Sequence, residues 1–152
     1  MRVAALDVGD ARVGVAVCDE LGLTVRGAGI VQRVGGQRDL DALAAVLRPL
    51  EPERLVVGLP LNMDGSEGAQ ATDTRAWAAA VAETCGLPVA WCDERLTSVR
   101  AEARVGSAGR GRGGGPPSGA ARNAHRARID REAAAAILQA ELDARLAAGR
   151  EA

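Results

Sequence analysis

The opening stretch, Met1-Arg-Val-Ala-Ala-Leu-Asp-Val-Gly-Asp-Ala-Arg-Val-Gly-Val-Ala-Val17, constrains the fold of this chain more than any other. An apolar run, Val3 to Leu6, carries a carboxylate, Asp7, into a turn containing Gly9. A second apolar run, Val13 to Val17, leads away from it. Two short apolar runs flanking a turn predict a β-hairpin, with Asp7 near the middle of a sheet. A charge beside a buried strand is costly unless something compensates it, and a metal ion is one common partner. The remaining sequence must then be searched for carboxylates that could share that partner.

The chain continues as alternating strands and helices. Leu23 to Val31 predicts a third strand, which its glycines place at an edge or a bulge. Leu40, Leu43, Leu47 and Leu50 recur at helical spacing, so Arg38 to Leu50 predicts an amphipathic helix limited by Pro49 and Pro52. Arg54 to Pro60 is a buried strand, and strand–helix–strand order implies a parallel crossover. After the polar loop Leu61 to Gly68, a helix runs from Ala69 to Cys85, with Gly86 as its C-terminal cap. Pro88 to Cys92 is a fifth strand that delivers Asp93 and Glu94 at its C-terminal end, where open α/β sheets bind ligands. A short helix is expected from Thr97-Ser98 to Val105.

The next segment, about 106–128, lacks apolar periodicity, and seven of the 14 residues from Gly106 to Gly119 are glycine. It predicts a flexible loop. A final Ala-rich helix is expected over Asp130 to Ala147, with Asp130 in its first turn.

With 152 residues the chain reads as one domain, 1–152, large enough to bury a core. That core is built from Ala, Val, Leu and Ile, because Trp77 and Trp91 are the only aromatic side chains apart from His125. No apolar run approaches the ~20 residues of a membrane span, and no signal-peptide pattern opens the chain, so a cytoplasmic protein with no membrane partner is expected. Cys18, Cys85 and Cys92 are widely spaced in apolar surroundings and read as reduced core residues. The formal net charge is −1, but its distribution is uneven. Nine arginines face two acids between Arg95 and Arg131, which gives that segment +7 and leaves −8 elsewhere.

Three acidic residues sit at element ends: Asp7 in a strand, Glu94 just past one, and Asp130 at the start of a helix. Asp130 would equally suit a helix N-terminus on electrostatic grounds alone. A cluster of carboxylates repels itself unless a divalent cation sits among them, and Mg²⁺ and Mn²⁺ favour such oxygen ligands. Two such ions about 4 Å apart can activate a water and stabilise the leaving oxygen of a phosphodiester.

Four blocks carry a resemblance: Ala5-Leu-Asp-Val-Gly-Asp-Ala-Arg-Val-Gly-Val-Ala16, Val56-Val-Gly-Leu-Pro-Leu-Asn-Met-Asp-Gly65, Asp93-Glu-Arg-Leu-Thr-Ser98, and Ile129-Asp130 followed by an Ala-rich helix. Together they resemble the YqgF/RuvX family, which comprises Holliday-junction resolvase homologues of the ribonuclease H-like superfamily, also described as pre-16S ribosomal RNA nucleases. The family's first block usually reads Gly-Thr-Lys-x-Ile-Gly, where this chain has Gly9-Asp-Ala-Arg-Val-Gly14, which would either remove a phosphate contact or move it to Arg12.

The resemblance implies a ribonuclease H-like three-layer α/β/α sandwich with a five-stranded mixed sheet. It implies a metal-dependent nuclease with Mg²⁺ or Mn²⁺ held by Asp7, Glu94 and Asp130, acting on RNA, on branched DNA or on single-stranded DNA. Arg12, Arg95, Arg110, Arg112, Arg122, Arg126 and Arg128 are the candidate phosphate contacts. Two other readings stand beside it, a non-catalytic nucleic-acid-binding or ribosome-maturation factor and an actin-like nucleotide-binding ATPase. Monomer and homodimer are both compatible with the sequence.

Overall fold

The computed structural model describes residues 1–94 and 119–151; within the last helix, side chains are described at 119, 120, 122, 132–145 and 148. Strand β1 (Val3–Val8) pairs antiparallel with β2 (Arg12–Cys18), setting Asp7 opposite Gly14 and Val8 opposite Val13. The Gly9 amide donates to the Arg12 carbonyl at 2.8 Å, closing the turn over Asp10 and Ala11. A Cβ on Gly9 would stand 2.9 Å from that carbonyl oxygen, so the turn needs glycine for space.

β3 (Val25–Gln32) pairs with the far side of β2 and forms one edge of the sheet. A register shift between Val15 and Ala16 supplies the bulge its glycines suggested. Helix α1 (Gln37–Leu47) continues as one 3₁₀ turn, Arg48–Leu50, and stops where Glu51 takes φ 49°. β4 (Arg54–Leu59) then lies parallel to β1. Helix α2 (Ala69–Cys85) ends at Gly86, whose φ of 67° makes it a left-handed cap. β5 (Val89–Asp93) runs parallel to β4, and the sheet order is β3-β2-β1-β4-β5. Helix α3 spans Gly119–Glu151.

Strand alternation assigns the two faces. Ala4, Leu6, Val8, Val13, Val15, Leu55 and Val57 pack against Leu43 and Leu47 of α1 and Ala78 and Val81 of α2. Val3, Ala5, Ala16, Cys18 and Val56 pack against Ala134, Ile137, Leu138 and Leu142 of α3. Each fully buried Leu or Ile contributes about 1.5–3 kcal/mol by leaving water. The result is the expected three-layer sandwich, and Asp7 shares the α3 face with Val3 and Ala5. Among the described residues no helix is long and apolar enough to cross a membrane, and the three cysteines are free.

Two expectations need correction. Residues 119–128, assigned to a flexible loop, are helical, and Asp130 therefore lies well inside α3 rather than in its first turn. The cause is compositional: 119–128 is rich in Ala and Arg, strong helix formers, yet its sequence has no apolar stripe for periodicity to report. The helix predicted at Thr97–Val105 and the rest of the 106–128 loop lie outside the described residues.

Candidate active site

Three strands end almost in step at one edge of the sandwich. Leu6 pairs with Val57, Val57 with Trp91, and Leu59 with Asp93. The Glu94 amide donates to the Leu59 carbonyl at 3.2 Å, carrying the ladder one residue past β5. From there the Glu94 carboxyl lies over Gly58: its Cδ and Oε1 are each 3.3 Å from where a residue-58 Cβ would stand. Asp7 on β1 is its hydrogen-bonding neighbour. Burial, then the hydrogen bond and charge of Asp7, then the charge of Asp93, push the Glu94 carboxyl up to about 9. Two carboxyls in one partly dry site cannot both ionise unless a cation lies between them, so this pair keeps a proton.

Whether the residues suit a metal is tested by their donor set, two facing carboxyls that share a proton when no cation lies between them. A divalent cation would take over the proton's electrostatic role, and oxygen-only donors match Mg²⁺ or Mn²⁺ better than softer metals. Among the described residues, no group of three or more His, Cys, Asp or Glu side chains converges. The side chain of Asp130 lies outside the described residues, but its backbone position is set by α3. Residue 130 precedes Ile137 by seven positions, two helical turns, on the stripe that also holds Ala134 and Leu138. Ile137 packs over Gly58, with its Cδ1 2.5 Å from the residue-58 Cβ position.

Of the arginines, Arg12 is half-buried at the start of β2, and alternation puts it on the same face as Gly14 and Ala16, beside Asp7. Arg122 is exposed on α3. Arg126 and Arg128 have helical backbones in α3 but undescribed side chains, while Arg95, Arg110 and Arg112 lie outside the described residues. Asn62 and Asp64, in the loop after β4, turn inward on that loop: Asn62 Nδ2 donates to Ser66 Oγ at 3.0 Å, and Ser66 donates to Asp64 through its amide and hydroxyl.

Sequence reasoning missed two residues that shape the site. Gly58 is one. Arg33 is the other, donating from Nη1 to the Gly9 carbonyl at 2.8 Å and so pinning the turn that follows Asp7. Its guanidinium lies 5.4 Å over the Trp77 ring and 4.0 Å from Asp39. Asp39 is buried and accepts the Val34 and Gly35 amides. A cleft of about 590 Å³ beside this group is lined in part by Val8, Asp10, Arg33, Asp73 and Trp77. No local signal joins Arg33 to Gly9, because the two are 24 residues apart.

The mixed sheet, its helical layers and the acidic pair at the strand ends define a ribonuclease H-like α/β fold with a carboxylate site. A family model described as "RuvX: Holliday junction resolvase" matches residues 1–144, and the chain belongs to this family. A protein of Anaeromyxobacter sp. (strain Fw109-5) named "Putative pre-16S rRNA nuclease" is 45% identical over 95% of this chain and 98% of its own length. A protein of the same name from Synechococcus sp. is 43% identical over 91% of this chain and 86% of its own. The RuvC structure from Thermus thermophilus is 19% identical, with a TM-score of 0.52 covering 97% of both chains. A second RuvC structure from T. thermophilus, in complex with a Holliday junction substrate, is 20% identical with a TM-score of 0.52 over 96% of both. These likenesses support the fold.

Proposed function

We propose that this chain is a divalent-metal-dependent nuclease that hydrolyses phosphodiester bonds in structured RNA, with precursor 16S ribosomal RNA as its first candidate substrate. The observation that carries the reading is the hydrogen-bonded Asp7–Glu94 carboxyl pair at the ends of β1 and β5, where burial and then Asp7 push the Glu94 carboxyl up. The names of relatives at 43–45% identity over nearly the whole chain favour RNA. The family description favours a four-way DNA junction as the second substrate to test.

Asp7 and Glu94 would hold Mg²⁺ or Mn²⁺, with Asp130 as the third carboxylate. When bound, such an ion supplies Lewis acidity toward the phosphate and lowers the pKa of a water. The chain's own residues do the rest. Glu94 would hold such an ion in its ionised form. Arg12, on the same face as Asp7, neutralises a phosphate oxygen of the bound strand. Arg122, Arg126 and Arg128 on the N-terminal half of α3, with Arg95, Arg110 and Arg112 before it, grip the flanking backbone without reading sequence.

The test is Asp7→Asn, assayed on labelled precursor RNA, single-stranded DNA and a four-way junction with Mn²⁺ present. Asn keeps the size of the side chain, so the thermal midpoint and nucleic-acid binding should hold while cleavage is lost on every substrate. Full activity in Asp7→Asn sinks the mechanism, and binding without metal-dependent cleavage by the native chain favours a non-catalytic maturation factor.

A further inference from the structure

Gly58 lies at the junction of three parts of the molecule. It sits on β4, between Asp7 on β1 and the Glu94 end of β5. A Cβ built on it would stand 2.5 Å from Ile137 Cδ1 and 3.3 Å from both Cδ and Oε1 of Glu94. The first distance is a steric overlap, and the second is tighter than carbon normally tolerates. The strand itself does not require glycine at this position. Gly58 is not among the residues with positive φ, and its neighbours Leu55, Val56, Val57 and Leu59 are ordinary buried strand residues. A glycine inside a strand weakens it, and one reason for its presence is close approach by another group. Here two groups approach from the same face, one from the core and one from the site.

We propose that Gly58 is a positioning residue for the acidic site: the space left by its missing side chain seats the Glu94 carboxyl beside Asp7 and, in the same space, seats Ile137 of α3. The two occupants have different consequences. Ile137 fixes where α3 lies on the sheet, and so where residue 130, two turns earlier, is carried. Glu94 reaches Asp7 only by crossing the surface of β4, and a methyl group there would tilt its carboxyl out of the pair. Gly58 thus couples the packing of α3 to the geometry of the ligand set, although it donates no atom to a metal. This inference deepens the metal-site reading and rests on it for its functional consequence, but the contact itself can be tested without metal.

The two occupants are separable by mutation. Ile137→Val removes Cδ1 and relieves the severe overlap while leaving the crowding of Glu94. Thermal midpoints of the metal-free chain would be measured for Gly58→Ala, Ile137→Val, Glu94→Ala and their combinations. Gly58→Ala should lower the midpoint by several degrees, and Ile137→Val in the same chain should recover part of that loss. Within the Ile137→Val background, the effect of Gly58→Ala should differ between chains carrying Glu94 and chains carrying Glu94→Ala, because touching side chains do not act additively.

Mn²⁺ affinity, by titration calorimetry, should be about tenfold to a hundredfold weaker in Gly58→Ala/Ile137→Val than in Ile137→Val alone, the range seen when a ligand loses its supporting shell. Additive midpoints overturn the proposal. Unchanged Mn²⁺ affinity in the double variant also overturns it, provided the Ile137→Val parent binds the ion. If neither the native chain nor that parent binds Mn²⁺, the metal reading fails instead, and the midpoint cycle still decides what Gly58 does.

Discussion

Glu94 is where a single residue carries the most consequence. Its carboxyl is pushed from an ordinary 4.5 to about 9, first by burial and then by Asp7 and Asp93. A group whose pKa is higher in the folded than in the unfolded chain adds stability that is complete below the unfolded value and is lost as pH rises through the folded one. The metal-free chain should therefore lose stability from about pH 5 to pH 9. Glu94→Gln keeps the shape and a hydrogen-bond donor toward Asp7 but cannot ionise, so it should flatten that decline and raise the thermal midpoint at pH 8. A cation in the site reverses the balance by favouring the ionised carboxyl, so Mn²⁺ binding should release a proton and tighten as pH rises toward 9. Thermal scans from pH 5 to 9, with calorimetry in two buffers of different ionisation heat, measure both effects. A metal-free midpoint that is level across that range in the native chain contradicts the shared-proton geometry.

The last helix shows how much an element reveals in sequence. The strands and the first two helices were legible because burial leaves a period: apolar runs in β1, β2 and β4, and the Leu40-Leu43-Leu47-Leu50 spacing in α1 and its closing 3₁₀ turn. α3 was legible from Asp130 to Ala147, where Ile137, Leu138, Leu142 and Leu146 mark it in the sequence. Its first turns, Gly119 to Arg128, are rich in helix formers but carry no apolar stripe in the sequence to find. The acidic pair was legible in part, since Asp7 stands out in an apolar strand. Gly58 was not, because the groups that need its space are 36 and 79 residues further along the chain.

The two halves of α3 should respond differently to substitution. Ala124→Pro removes a helical hydrogen bond and clashes with the preceding turn, at about 3 kcal/mol locally. Among the described residues the buried side chains of α3 begin at Ala133, so the thermal midpoint should barely move, while helical circular dichroism and nucleic-acid affinity both fall. Leu138→Ala, fully buried against the sheet, should cost about 2–5 kcal/mol of global stability. Equal losses of midpoint in the two variants would show that the N-terminal half is packed as tightly as the rest.

Across the whole molecule, charge and fold are divided along the chain. The acidic site is built on the sheet, at the ends of β1 and β5, while the +7 segment from Arg95 to Arg131 runs from the end of β5 into α3. Basic side chains are thus tethered on both sides to the elements that carry Glu94 and Asp130. A nucleic-acid backbone gripped by that segment would be held next to the carboxyls, which would otherwise repel its phosphates. Deleting Gly109 to Gly115 tests this division, because it removes Arg110 and Arg112 but none of the described core. The thermal midpoint and Mn²⁺ affinity should stay at native values. Nucleic-acid affinity should fall, and the slope of log affinity against log salt should flatten by about 0.7–0.9 for each phosphate that is no longer neutralised. Binding measured between 50 and 200 mM salt checks the slope. An unchanged slope means that the two arginines touch no phosphate and that the grip belongs to Arg12, Arg95 and α3.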